Sequence, residues 1–309
     1  MESISVSNQS KAYLFLVITT SAWGSLYVVS KYIMAYVPPL TVLMFRYLIA
    51  GAVLFALLKT GRFNSAGSVK IERSDYKYIL LAGMLGYFGS IGAQLMGTKL
   101  TNAGLASLLN STNPIFMLIF AIPILKEKIT LTKVVSIVAA LAGVYIILGG
   151  GDASGMLGGA LLSIASVIAW SLTSVSLKRF MRKYNPLAVT TYAILVAFVC
   201  TLPFSAYELI TTPGVEIFRP DVLLGLLYVG VVCTAMTNVL WNASLSMIEA
   251  GRCALFYPIQ PLVATILGSV FLHEPVHLTF VLGAALIIGG VLFSVISERI
   301  KAKRAGNQA

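Results

Sequence analysis

The side chains in this sequence that could do chemistry are hydrogen-bonding groups set inside long apolar runs. Tyr87, Ser90 and Gln94 follow one another at i, i+3 and i+7, and Thr234, Asn238, Trp241 and Asn242 at i, i+4, i+7 and i+8, so each set lies along one helical face. Asn110 and Asn113 precede Pro114, as Tyr257 and Gln260 precede Pro261. A helical proline has no N–H and strips the carbonyl four residues earlier of its partner, here at Asn110 and Tyr257, with Ala254 added by Pro258. Trp23, Ser25 and Tyr27 in one run, and Trp170, Ser171 and Ser174 in another, complete the set. The chemistry these types suit is recognition. Amide, hydroxyl and aromatic groups on facing helices describe a pocket for an organic solute. Taken singly, each could equally bond helix to helix or sit in an interfacial aromatic belt.

The charged residues narrow the choice. All eleven acids fall in tails, loops or the ends of apolar runs, so no carboxylate stands mid-run to carry a proton. Lys31 and Arg46 are the deepest cations, and Lys99 and Arg252 are shallower. Either deep cation could meet a substrate carboxylate or phosphate, or snorkel to the interface. Snorkelling suits Lys31 better, whereas Arg46, six residues into its run, is harder to rescue that way. Glu127 and Glu274 close matched runs, and capping or pairing with Lys126 or Lys128 suits them better than gating.

Catalytic and cofactor chemistry find little support. The two histidines, His273 and His277, share one loop with Pro275 between them, and Cys200, Cys233 and Cys253 lack metal-like spacing and read as buried thiols. The glycines of Gly83–Gly97, Gly143–Gly151, Gly155–Gly159 and Gly283–Gly290 fit close helix approach, and none has the strand-to-helix setting of a nucleotide loop. We therefore expect no metal and no cofactor.

The elements that position these groups follow from composition. With 58% hydrophobic and 11% charged residues and a mean hydropathy of +0.90, the chain is an all-α integral membrane protein. Its apolar runs give ten candidate spans: about 12–33, 40–59, 76–98, 103–125, 131–149, 156–177, 187–207, 221–245, 251–272 and 278–297. The net charge of +11 reflects alternate loops rich in Lys and Arg, not nucleic-acid binding. Lys59, Arg62, Lys70, Arg73 and Lys77 mark one side, as do Lys126, Lys128 and Lys133, then Lys178, Arg179, Arg182 and Lys183, then Arg252 and the tail from Arg299 to Arg304. That places both termini, with the basic tail 298–309, in the cytoplasm.

The spans form two copies of one module. Pro114 and Pro261 are 147 positions apart, as 261 − 114 gives, and the same offset relates Trp23 to Trp170, Lys31 to Lys178, Pro39 to Pro186, Gly83 to Gly230, Gly143 to Gly290 and Glu127 to Glu274. The modules are 12–150 and 156–297. Five spans per module is an odd number, so the second enters the membrane inverted, an architecture typical of alternating-access transporters.

Ala22-Trp23-Gly24, Pro39 and Arg46, the stretch Ala103-Gly104-Leu105-Ala106-Ser107-Leu108 leading to Pro114 and Glu127, and its echo from Ala250-Gly251 to Pro261 and Glu274 resemble the drug/metabolite transporter superfamily, and within it the EamA-type members. The resemblance spans about 12–297. It implies a pseudo-twofold axis in the membrane plane, a cavity bounded chiefly by spans 1, 3, 4, 6, 8 and 9, and export of amino acids and similar metabolites through the bacterial inner membrane. Related proteins handle nucleotide-linked and phosphorylated sugars, and drugs are another expected class. The second module departs from the first: Arg252 and Cys253 stand at the positions of Leu105 and Ala106, and Ala193 at that of Arg46.

The expected function is a secondary transporter of small organic solutes. Trp23, Tyr27, Arg46, Tyr87, Ser90, Gln94, Asn110, Asn113, Trp170, Ser174, Asn238, Trp241, Asn242, Tyr257 and Gln260 are its candidate substrate contacts, and Pro114, Pro261, Glu127 and Glu274 its hinge or gate. A membrane-embedded enzyme would need a nucleophile and base or a metal set within the spans, and a channel a continuous polar pore. The expected partners are a small molecule and the bilayer. A monomer suffices to form the cavity, with a homodimer open.

Overall fold

The computed structural model describes residues 6–60, 71–126, 131–149, 156–176, 183–248, 253 and 255–306. Its helices, in chain order, are α1 (Val6–Ile33), α2 (Pro39–Lys59), α3 (Arg73–Leu100), α4 (Ala103–Leu125), α5 (Leu131–Gly149), α6 (Leu157–Ser176), α7 (Pro186–Thr211), α8 (Pro220–Met247), α9 (Ile259–Leu272) and α10 (Leu278–Gly306). Eight of the described helices are long and apolar enough to cross a membrane, and Leu131–Ile147 and Ile259–Leu272 are shorter apolar helices. The protein is a multi-pass membrane protein.

Local chemistry starts the helices. Pro39 and Pro186, 147 positions apart, both occupy the first helical turn, where a missing N–H leaves no bond unmade. Asn185 caps α7 by accepting from the Leu187 N–H at 2.9 Å, and Asn102 caps α4 by accepting from the Leu105 N–H at 2.6 Å.

Packing interleaves the two modules. α2 packs along α7 and against α8, and α7 in turn against α3. α1 lies between α8 and α9, α6 between α3 and α4, and α5 pairs with α10. The main apolar core, with Ile33, Leu43, Tyr47, Leu54, Ile194 and Leu226, therefore draws on both modules. The outward side chains of α5, including Leu131, Val138 and Leu141, are large, apolar and exposed, as a lipid-facing surface requires. At the α5–α10 crossing a methyl group on Gly143 would come within 2.7 Å of the Gly283 carbonyl oxygen, so the expected close approach is real there.

Three features differ from the sequence expectation. First, α3 and α8 are not uniform α-helices: Ala82–Ser90 and Tyr228–Met236 are wound as π-helix, at positions related by the repeat to within about one residue. Each π segment meets its neighbour at a glycine, and a Cβ on Gly83 or Gly230 would lie 2.6 Å from the Cβ of Val196 or 2.7 Å from that of Ile49. Second, Pro114 and Pro261 begin helices after a break instead of kinking continuous ones. α4 is interrupted at Ser111–Thr112, and turns over 255–258 precede α9. The Tyr257 carbonyl is consequently not free: it accepts from the Gln260 N–H at 3.0 Å. Third, α10 continues as helix to Gly306, because Ser297–Gly306 carries helix-forming Lys, Arg and Ala and no proline.

At one end of the molecule, carboxylates of the second module cap helices of the first. Glu208 accepts from the N–H groups of Leu40 at 3.2 Å and Thr41 at 2.8 Å. Glu274 accepts from the Ala103 N–H at 2.9 and 2.8 Å and pairs with Lys31 at 2.9 Å. Lys31 also donates to the Thr101 carbonyl. It does not snorkel, because a carboxylate and a carbonyl lie within its reach. His273 sets up this cap by adopting a left-handed conformation, φ 53°, that turns the chain at the end of α9. Lys126, its repeat mate, has φ 55° at the end of α4; Glu127, which follows, lies outside the described residues. Near the other end, Lys183 bonds Glu72 at 2.9 Å and Asp75 at 3.0 Å; the Glu72 contact, followed by Tyr184 and Asp75, raises the Lys183 pKa above its ordinary range.

Candidate functional site

A cavity of about 290 Å³ lies where the modules meet. α1 supplies Trp23, Leu26 and Tyr27; α2 supplies Arg46; α3 supplies Tyr87, Ser90, Ile91 and Gln94; α4 supplies Asn110, Asn113 and Met117. From the second module come Trp170 and Ser174 of α6, Cys233, Thr234, Asn238 and Trp241 of α8, and Tyr257 and Gln260 at the start of α9. All three tryptophans of the chain are in this wall.

The sequence-derived candidates come together here, with one exception. Asn242 does not line the cavity. At about 100° per residue it stands on the opposite flank of Asn238 from Trp241, and the wall follows Trp241's flank. Pro114, Pro261 and Glu274 lie outside the lining: the prolines start helices, and Glu274 caps α4. Sequence reasoning did not single out Leu26, Ile91, Met117 or Cys233 as lining residues. Leu26 follows Trp23 by three residues, Ile91 follows Tyr87 by four and Met117 follows Asn113 by four, so helical spacing from the polar candidates was the available signal. Of the cysteines, Cys233 and Cys253 are buried and Cys200 is half-buried.

Most polar groups of the wall hold one another. Tyr27 is buried, and its hydroxyl accepts from Gln94 Nε2 and, at 3.2 Å, from Gln260 Nε2, tying α1 to α3 and α9. Ser171 Oγ donates to Asn113 Oδ1 at 2.6 Å, Ser90 Oγ to the Ser166 carbonyl at 2.9 Å, and Asn238 Nδ2 to the Thr234 carbonyl at 2.7 Å. Trp23, Trp241 and Tyr257 form one aromatic cluster with ring centroids 5.2, 5.4 and 6.2 Å apart, and Tyr87 and Trp170 form an edge-to-face pair at 5.3 Å on another side.

Arg46 is different. Only 6% exposed, it is the one charged side chain of the described lining. Its Nε donates to Thr234 Oγ1 at 2.7 Å, while Nη1 has no hydrogen-bond partner. Thr234 passes its own proton to the Val229 carbonyl five residues back at 2.8 Å, which fits the π-helical turn. A buried guanidinium with an unmade bond is destabilising until an acceptor arrives, so this position is chemically prepared for an anion.

A smaller pocket of about 160 Å³ adjoins the cavity and shares Tyr87, Trp170 and Ser174 with it. α7 closes it with Val189, Thr190 and Ala193, opposite Ala82 and Gly86 of α3 and Thr173 of α6. Among the described residues no three His, Cys, Asp or Glu side chains gather as metal ligands.

Comparisons with known proteins agree with this architecture. The sequence model of the EamA-like transporter family matches residues 10–149 and again 157–296. An uncharacterized Bacillus subtilis transporter, YetK, is 29% identical over 301 residues, covering 95% of this chain and 89% of its own. An uncharacterized transporter of Archaeoglobus fulgidus is 27% identical over 289 residues, covering 94% and 100%. A solved crystal structure 21% identical in sequence superposes with a TM-score of 0.64 over 93% of this chain and 98% of that one, which speaks for the fold.

Proposed function

The chain belongs to the EamA-like transporter family, of the drug/metabolite transporter superfamily, and from that premise we propose that it exports small organic metabolites such as amino acids across a bacterial inner (cytoplasmic) membrane by alternating access. The observation that carries this reading is a cavity walled by both modules, with a buried, incompletely bonded Arg46 among aromatic and amide groups. A ligand held there touches both modules at once, so their rocking would expose it to one side and then the other.

Both termini lie in the cytoplasm by the distribution of Lys and Arg, which places the Glu208 and Glu274 caps on the extracytoplasmic side. The described residues of one chain suffice to wall the cavity, which supports a monomer as the transporting unit. The described lining holds no Asp or Glu, and we assign the driving force to exchange, facilitated diffusion or a proton carried by the substrate. The family and its transporter-named relatives point to a transporter and not an enzyme. Phosphorylated and nucleotide-linked sugars fit less well, since one guanidinium balances one negative charge.

Proteoliposomes loaded with a mixed pool of amino acids, nucleosides and sugar phosphates, with efflux resolved by mass spectrometry under imposed pH gradients, test the proposal. Selective efflux of amino acids or similar small acids is expected. Efflux confined to sugar phosphates or nucleosides, or none above empty liposomes, would contradict it.

A further inference from the structure

The two modules share one backbone plan, and at one of the equivalent pairs where their residues differ the difference leaves a space. Arg46 on α2 reaches Thr234 in the π segment of α8. The repeat places Ala193 on α7 opposite Tyr87 in the π segment of α3, and both residues line the side pocket. Where the first module has a guanidinium, the second has a methyl group and a cavity.

We propose that this pocket is a second subsite, receiving the apolar tail of a monocarboxylate whose carboxylate is held by Arg46, and that Ala193 sets the length of tail accepted. The proposal rests on the transport reading for its biological setting but on its own geometry for the ligand. Arg46 offers one positive charge and a free Nη1, and a carboxylate supplies one negative charge with acceptors matched to the guanidinium fork. A phosphate dianion would bring a second buried charge without a partner.

The side pocket has little to offer a polar group. Thr173 Oγ1 already donates to the Ala169 carbonyl at 2.8 Å, and Thr190 is buried beside Tyr87. What remains is the Ser174 hydroxyl, at the side shared with the central cavity, and the apolar surface of Ala82, Val189, Ala193 and the two rings. Because Tyr87 and Trp170 belong to both spaces, a molecule anchored at Arg46 passes their edge-to-face pair to enter the pocket. The described lining carries no carboxylate to hold an ammonium, so the substrate is defined by acid head and apolar tail, with an amino group optional.

The three tryptophans all line the central cavity, which makes intrinsic fluorescence of the full chain in nanodiscs a reporter for that region. The probes are acetate, butyrate, hexanoate and hexanamide, titrated into wild type, Ala193→Val, Ala193→Phe and Arg46→Gln, each first shown to unfold at the wild-type temperature. For wild type we expect Kd to fall roughly fourfold per methylene that reaches the pocket, and hexanamide to bind at least about tenfold more weakly than hexanoate. Ala193→Phe should flatten the chain-length series while leaving acetate binding unchanged, with Ala193→Val intermediate. Arg46→Gln should remove the preference for acid over amide.

A wild-type chain-length series retained in both Ala193 variants, equal binding of hexanamide and hexanoate, or no fluorescence response to any carboxylate would overturn the proposal. Chain-length-dependent binding in a protein that exchanges no solute would overturn the transport reading and leave the subsite standing. Saturable exchange with a flat chain-length series would do the reverse.

Discussion

The two contacts between an even-numbered or odd-numbered partner helix and a π segment, α2 on α8 and α7 on α3, are built alike and behave differently. Gly230 receives Ile49 in the first and Gly83 receives Val196 in the second, at nearly the same separation. Yet one contact carries the buried Arg46–Thr234 hydrogen bond and the other the Ala193 pocket beside Tyr87. Backbone packing is duplicated, whereas recognition chemistry is not. A substrate with two unlike ends needs such asymmetry, and a hinge that opens to either side needs the duplication.

The largest effect should come from the residue that most breaks the symmetry. Arg46→Gln leaves the backbone intact and removes the one charge of the described cavity lining, so transport of an anionic substrate should drop on the order of 30-fold or more, as loss of one partner of a buried charge pair does. Initial efflux rates from proteoliposomes measure this. Moving the charge by combining Arg46→Ala with Ala193→Arg should not restore transport, because residue 193 faces the ring of Tyr87 in place of the Thr234 hydroxyl.

Next come Asn110 and Tyr257, repeat mates with unlike partners. Asn110 Oδ1 accepts from Asn113 at 3.5 Å, and Tyr257 stacks in the aromatic cluster with Trp23 and Trp241. Asn110→Ala and Tyr257→Ala should each lower initial efflux by about tenfold, less than Arg46→Gln, while the protein still inserts and purifies as a monodisperse species. Normal efflux from both would remove them from the site.

The scaffold should answer symmetrically. Gly83→Ala and Gly230→Ala each push a Cβ against a β-branched neighbour, so both should destabilise the fold by a similar amount, about 1–3 kcal/mol. Thermal unfolding in detergent reads this directly, and a large effect at one site with none at the other would break the duplication. The smallest effect is expected at the left-handed caps: Lys126→Gly and His273→Gly should change stability alike, each by less than about 1 kcal/mol, because relief of left-handed strain is offset by the greater freedom of glycine in the unfolded chain.

Much of this was legible in the sequence, for a definite reason. Polar side chains in hydrocarbon have few places to go, so Trp23, Gln94, Asn113 and Asn238, chosen by type and helical spacing, lie on one cavity. What stayed hidden has equally definite causes. The π segments preserve the apolar composition of a span and change only its winding, which no residue pattern announces. Lys31 looked like a snorkelling cation because its partner, Glu274, is distant in the chain. The side pocket is invisible in a list of chemically active residues, since its defining residue is an alanine.

Counterflow in proteoliposomes tests alternating access around Arg46 most directly: vesicles are preloaded with an excess of the unlabelled solute identified by the efflux screen, and uptake of its labelled form is followed. Wild type should show saturable labelled uptake that overshoots and depends on internal solute, and Arg46→Gln should lose it while keeping the wild-type unfolding temperature. Uptake that never saturates and ignores internal solute would mark a channel, and undiminished counterflow in Arg46→Gln would remove the guanidinium from the transport site.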